Sequence, residues 1–159
     1  MEGFFGLPSD VLIVVGVLAV TLVYNYTIGK HRAATLLIAM YVAGALIFLV
    51  PAFDALYEIL PVDKRFSPVI MFGVVLILVY LIFRRNAFFD PYLVPTGWEL
   101  GVFSVLHTAV LVALVVSIVP SAVTADFSPN FGRVFLDPMV RSGLIVAPLL
   151  MLFVIRGRD

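Results

Sequence analysis

His107 is the residue of this chain whose type and position are best suited to chemistry. It is the only histidine inside a long apolar stretch of the sequence. A titratable side chain in such a stretch is a candidate proton relay or ligand contact. A relay also needs a second titratable group, and the charge-free stretches offer only tyrosines. The pattern therefore favours a neutral imidazole bonded to a neighbour such as Ser104, Tyr41 or Tyr80, over a functional polar site formed by His107 with Ser104 and Tyr80.

The other polar residues do not form a known catalytic or metal-binding pattern. His31 lies between Lys30 and Arg32, without an EF-hand loop, an HExxH motif or a carboxylate cluster. The sequence also contains neither the G-x-S-x-G elbow of hydrolases nor a G-x-x-x-x-G-K phosphate loop. Asp54 and Glu58 share a helical face, which is expected to be solvated. The sequence therefore predicts no enzymatic activity, no metal and no cofactor.

Five apolar stretches without Asp, Glu, Lys or Arg dominate the sequence. Hydrophobic residues make up 63% of the 159 residues and charged residues 13%, whereas soluble domains carry about 25% charged residues. So much apolar surface requires a lipid bilayer as its solvent. The stretches are 11–28, 33–50, 68–83, 100–119 and 142–155.

The lengths of these stretches predict transmembrane helices rather than barrel strands. A helix needs roughly 17–25 residues to cross a hydrocarbon core of about 30 Å, whereas barrel strands have about 9–11 residues of alternating polarity. Three stretches are long enough unaided. The third gains length from the aliphatic stems of Arg84 and Arg85, and the fifth contains Pro148 and spans only if it begins near Val140.

The predicted fold is a single all-α integral membrane domain of four to five spans, with interfacial helices in its loops. The spans are expected at about 11–28, 33–50, 68–83, 100–119 and 140–155.

The connection 51–67 is predicted to form a short amphipathic helix. Its apolar residues recur at helical spacing, opposite two acidic residues, which suits a helix lying in the membrane interface. These residues are Phe53, Leu56, Tyr57 and Leu60.

Two further connections are rich in aromatic residues. The connection 85–99 is expected to place its aromatic side chains at headgroup depth. In 121–141, Phe127, Phe131 and Phe135 would share one face of a helix, although a proline and a glycine weaken that helix. This second connection could lie flat on the membrane, dip back into it or form a plain loop.

A ladder of small residues runs along the fourth stretch at intervals of about four residues. Small residues on one face allow helix backbones to approach closely. The ladder consists of Gly97, Gly101, Ala109, Ala113 and Ser117, and a smaller group in the second stretch consists of Ala39, Ala43 and Gly44. We expect the ladder to form a tight helix contact, within the chain rather than between chains.

The distribution of basic residues predicts an orientation. Six of the ten basic residues lie in the segment between stretches one and two, the segment between three and four, and the tail, and basic segments stay cytoplasmic. The N-terminus is therefore expected outside and the C-terminus in the cytoplasm, with the first stretch acting as a retained signal anchor. The balanced charge and the lack of a basic patch argue against nucleic acid as a partner.

The layout of several residues resembles a known family. Asp10 precedes the first stretch, Gly29-Lys30-His31-Arg32 forms a basic turn, and Ala39, Ala43 and Gly44 lie in the second stretch. Phe135-Leu136-Asp137-Pro138 followed by an apolar ending completes the outline. In these features the chain resembles the CvpA (colicin V production protein) family of bacterial inner-membrane proteins, although that family's Arg-Gly turn is not matched. The resemblance implies an inner-membrane location and a role in envelope homeostasis or secretion.

These observations together favour a scaffold or accessory subunit of a larger membrane assembly. Its expected partners are the lipid bilayer and other membrane proteins or further copies of the chain. The alternative is an oligomeric channel or small-solute transporter, with His107 and Tyr80 near its pathway.

Overall fold

The computed structural model of the chain describes residues 8–27, 33–59, 61–86, 98–125 and 127–156. Within these ranges the regular elements are all helical. The long helices are α1 (Ser9–Thr27), α2 (Ala33–Leu49), α4 (Ser67–Asn86), α5 (Trp98–Ile118) and α8 (Pro138–Arg156). The short ones are α3 (Ala52–Ile59), α6 (Ser121–Thr124) and α7 (Pro129–Phe131), which continues into a π-helical turn (Gly132–Leu136). The predicted all-α fold class is confirmed.

Three helices are long and apolar enough to cross a membrane: α1, α4 and α5. A fourth candidate is the pair of helical segments Pro129–Leu136 and Pro138–Met151. The two segments meet at a bend of 61°, which is typical of a broken span or a re-entrant loop. The apolar helix α2 has 17 residues. This count is close to the predicted four to five spans.

Local sequence signals explain where the long helices begin and end. Helix α4 starts at Ser67-Pro68, and proline is favoured in the first helical turn because its missing N–H needs no partner there. Arg84 and Arg85 lie in its last turn, where cations interact favourably with the helix dipole. Helix α5 has Glu99 in its first turn and ends just before Pro120.

Helix α5 is the central element of the bundle. It packs most extensively against α1 and α8, while α2 packs against α4. The main apolar core joins α2, α4 and α5, and its fully buried members include Leu37, Ala43, Phe103 and Val110. Helices α1 and α4 run in the same direction, since Asp10 and Phe66 line one cavity near their starts and Tyr24 contacts Tyr80 nearer their ends.

Three helices present exposed apolar faces. On α1 these residues are Ile13, Val15, Val20 and Val23; on α4 they are Val74, Ile77, Leu78, Leu81 and Ile82; on α8 they are Met139, Val146, Leu149 and Leu150. Contiguous apolar surface of this extent is unfavourable in water and is compatible with the hydrocarbon of a bilayer.

The connections follow the sequence predictions to different extents. The amphipathic helix predicted in 51–67 is present as α3. The connection 85–99 lies mostly outside the described residues. In 121–141 the three phenylalanine rings contact one another in a row. Phe127 meets Phe131 edge to face with ring centroids 4.7 Å apart, and Phe131 and Phe135 are tilted with centroids 4.8 Å apart. Phe131 is buried and packs with Val112 and Val116 of α5, so this segment folds back onto the bundle.

Candidate functional site

A cluster of buried polar side chains joins α1 to α5. Asn25 is fully buried, and its Nδ2 donates a hydrogen bond of 2.8 Å to Ser104 Oγ. Ser104 Oγ in turn donates to the carbonyl oxygen of Leu100, and Thr108 Oγ1 donates to the carbonyl oxygen of Ser104. The Asn25 Oδ1 atom is buried and has no partner among the described residues. The cluster therefore retains one acceptor without a partner among the described residues, next to the hydrogen bond that joins the two helices.

His107 lies one turn further along α5 and is fully buried. Its Nε2 is 2.8 Å from the carbonyl oxygen of Ala33, and its Nδ1 is 2.9 Å from the carbonyl oxygen of Phe103. The ring also packs edge-on against the ring of Phe103, with centroids 4.7 Å apart. A neutral imidazole carries one N–H and can donate to only one of the two carbonyl groups. The partners of the His107 ring are thus backbone carbonyl groups, and not the side chains of Ser104, Tyr41 or Tyr80 expected from the sequence.

Two tyrosines connect α1 to α4. The hydroxyl oxygens of Tyr24 and Tyr80 are 2.7 Å apart, which is a hydrogen bond in which either can donate. A third tyrosine, Tyr41 of α2, donates from its hydroxyl to the carbonyl oxygen of Ile145 in α8. That carbonyl lies next to the carbonyl of Leu144, whose usual helical donor is missing because Pro148 has no N–H.

The predicted polar site therefore divides into separate contacts. Ser104 bonds with Asn25, Tyr80 bonds with Tyr24, and His107 bonds with backbone carbonyl groups. Each contact joins two helices of the chain. Asn25 is a member of these contacts that the predicted site did not include, and its amide near the end of an apolar stretch is the signal for it in the sequence.

The residues of the small-residue ladder differ in how deeply they are buried. Ala113 is fully buried, Gly101, Ala109 and Ser117 are half-buried, and Gly97 lies outside the described residues. A methyl group added at Gly101 would lie 3.7 Å from the Tyr26 hydroxyl oxygen, which is ordinary contact.

The group Ala39, Ala43 and Gly44 on α2 is buried throughout. At Gly44 an added methyl group would lie 3.1 Å from Cδ2 of Leu114 on α5. An added methyl group therefore comes closer to a neighbouring helix at Gly44 of α2 than at Gly101 of the ladder on α5.

An acidic clamp joins the start of α1 to the segment before α7. Oδ2 of Asp10 accepts two hydrogen bonds from Ser128, 2.8 Å from its backbone N and 2.7 Å from its Oγ. Oδ1 accepts a third bond, 3.0 Å from the backbone N of Val11. Asp10 is only 8% exposed. In the sequence Asp10 stands out only as the acidic residue before the first stretch, because nothing in the local pattern shows a partner 118 residues away.

An apolar cavity of about 470 Å³ lies beside this clamp. Helices α1 and α4 form its two sides, and the last two turns of α5 form its floor. We call this cavity the slot. A second cavity of about 680 Å³, the cup, is lined by Ser9, Ser128 and neighbouring residues. The two cavities share Asp10, Ile13, Val123 and Phe127, so the cup, which holds the polar side chains of Ser9, Asp10 and Ser128, opens into the apolar slot.

Comparison with known proteins gives no match: no family model, no curated protein and no solved structure is significantly similar to the chain.

Proposed function

We propose that the chain is an integral membrane scaffold or accessory subunit, which holds a larger membrane assembly together through its helix faces. The observation that carries this proposal is that buried and half-buried polar side chains bond between helices. Asn25 bonds to Ser104, and Tyr24 bonds to Tyr80. Tyr41 and His107 bond to backbone carbonyl groups of α8 and α2. Polar groups used in this way stabilise a fixed bundle, because breaking each bond in a membrane leaves polar atoms without water.

The surface for partners is proposed at the bend between the π-helical turn and α8. Val134, Leu136, Met139 and Val140 are exposed there, and Met139 is 86% exposed. Arg133 and Asp137 lie among these residues, so the patch mixes apolar and charged groups. This composition suits a protein contact at the membrane surface better than a purely lipid-facing stripe.

The proposal places the chain in the bacterial inner membrane, with the N-terminus outside and the C-terminus in the cytoplasm. The resemblance to CvpA proteins, in Asp10 before the first span and the basic turn after it, supports the same assignment.

Native mass spectrometry of the gently extracted chain tests the proposal. We expect other proteins to be present in fixed stoichiometry. The variant Met139→Ser should reduce their recovery, since it removes the most exposed apolar side chain of the patch. The matched control is Val20→Ser, which changes a residue 70% exposed on α1, away from the patch. Equal loss in both variants, or no stoichiometric partner in the wild type, would contradict the proposal.

A second candidate function, an oligomeric channel or small-solute transporter, draws on the unused acceptor of Asn25. A buried Oδ1 without a partner among the described residues could contact a passing solute or water. A homo-oligomer as the only species extracted would favour this function, and flux into liposomes that is abolished by Asn25→Leu would support it.

A further inference from the structure

The slot is long enough to hold one lipid chain and is closed at one end. Asp10 lies at its open end, and on the α4 side its lining runs from Phe66 to Leu76, a separation of ten residues that corresponds to about 15 Å of helix. One leaflet of the hydrocarbon core is about 15 Å thick, half of the full 30 Å. A single acyl chain from one leaflet therefore fits between these two levels.

The closed end excludes a helix as the occupant. A transmembrane helix has a diameter of about 10 Å and must run through both leaflets. The hydrogen bond of 2.7 Å between Tyr24 and Tyr80 joins α1 directly to α4 below the slot. A helix inserted between α1 and α4 would have to break this bond, whereas an acyl chain ends above it.

The segments that line the open end of the slot differ in the sign of their charge. On the α1 side, the buried carboxylate of Asp10 accepts its bonds, among the described residues, from the neutral donors Ser128 and Val11. On the α4 side, Phe66 lines the slot and follows the exposed segment Asp63-Lys64-Arg65, which carries a net charge of +1. A headgroup with one cation and one anion complements this arrangement.

We propose that the slot and the cup together bind one membrane lipid with a phosphoethanolamine headgroup. One acyl chain lies in the slot against α5. The primary ammonium group enters the cup and donates a hydrogen bond to the Asp10 carboxylate. It thereby places a positive charge beside a carboxylate whose donors among the described residues are neutral. The phosphate remains at the mouth, near Lys64 and Arg65. The site is independent of the proposed scaffold function, because it uses a different face from the Met139 patch.

Lipid competition on the full chain tests this proposal. The purified chain is equilibrated with equal amounts of phosphatidylethanolamine, phosphatidylcholine and phosphatidylglycerol that carry identical acyl chains. Native mass spectrometry then identifies and counts the lipids that stay bound to the chain. Phosphatidylcholine has a cation without N–H donors, and phosphatidylglycerol has no cation. We expect one retained phosphatidylethanolamine, favoured over phosphatidylcholine by about tenfold, since a charge-assisted hydrogen bond is lost in the latter.

Two variants separate the headgroup from the chain. In Asp10→Asn, the ratio of retained phosphatidylethanolamine to retained phosphatidylcholine should fall close to one. Gly73→Leu should remove the retained lipid of any class, because Gly73 lines the slot and a side chain there enters its open space. Gly16→Leu and Gly143→Leu are matched controls, since added atoms there also meet open space but lie outside the slot, and both should retain the lipid.

A photoreactive phosphatidylethanolamine with a diazirine in its acyl chain provides a test that needs no variant. Cross-links to Val17, Leu76 or Val112 in the slot support the proposal. Cross-links confined to the outer face of α4, at Ile77 and Leu81, would overturn it. Equal retention of the three lipids, an unchanged lipid count in Gly73→Leu, or a second copy of the chain in place of the lipid would also overturn it.

Discussion

The Nε2 atom of His107 lies 2.8 Å from the carbonyl oxygen of Ala33 and so ties the middle of α5 to the first turn of α2. The contact is buried and joins residues that are 74 positions apart in the chain. It gives the histidine a structural role that needs no change of protonation state.

The structural role predicts how His107 tolerates substitution. His107→Gln should leave stability and function near normal, because the glutamine amide can still donate to Ala33. His107→Leu should lower the free energy of unfolding by about 1 kcal/mol, the usual size of a hydrogen bond between membrane helices. Thermal unfolding in detergent, followed by circular dichroism, measures both. Complete loss of function in His107→Gln with an intact fold would instead favour the transport function.

Asn25 and Ser104 should be energetically coupled across α1 and α5. A double-mutant cycle with Asn25→Ala and Ser104→Ala isolates their hydrogen bond of 2.8 Å from the other losses. We expect a coupling energy of about 0.6 kcal/mol, with an upper range of about 1.7 kcal/mol. Strictly additive effects on the free energy of unfolding would show that the bond contributes nothing.

Gly44 is the glycine whose enlargement should disturb the bundle most. Gly44→Leu forces new atoms against Leu114 of α5, and overpacking of this kind costs roughly 1–3 kcal/mol. Gly16→Leu adds the same group to an exposed site on α1 and should change stability by less than about 0.5 kcal/mol. Melting temperatures of the two variants compared with the wild type provide the measurement, and equal values would contradict the packing.

The ladder on α5 makes a separate prediction. Gly101→Leu and Ala109→Leu together should disrupt packing by bulk alone, since both positions are half-buried. Thermal stability and assembly of the double variant are compared with those of the wild type. If neither changes, the ladder has no role in helix packing.

The absence of cysteine from the sequence makes the topology directly measurable. Single cysteines at Lys64 and Arg85 flank α4, and both positions are exposed. A membrane-impermeant thiol reagent added to intact cells should label Lys64→Cys and spare Arg85→Cys until the membrane is opened. The reverse pattern would invert the orientation, and labelling of both from outside would show that α4 does not span.

Sequence reasoning predicted the helices well because their signals are local. The helix in 51–67 followed from the spacing of Phe53 and Tyr57, and the end of α4 from Arg84 and Arg85. In each case the deciding residues lie within a few turns of one another, so the pattern itself contains the information.

The pairing of polar residues could not be predicted in the same way. Ser104 and Tyr80 were expected beside His107, but they bond with Asn25 and Tyr24 on α1. The sequence gives the depth of a side chain along its helix. It does not give the direction in which the side chain points around the helix axis, because an apolar helix that is buried on several sides has no clear polar face. The partners therefore depend on helix packing over separations of 56 and 79 residues.

The clamp between Asp10 and Ser128 also sets an order of events during synthesis. The two residues are 118 positions apart, and ribosomes add about 5–20 residues per second, so Ser128 follows Asp10 by roughly 6 to 24 seconds. During that interval the carboxylate at the head of α1 must keep its contact with water at the membrane surface. Helix α1, which is made before the other helices of the bundle, is therefore among the last to complete its hydrogen bonds.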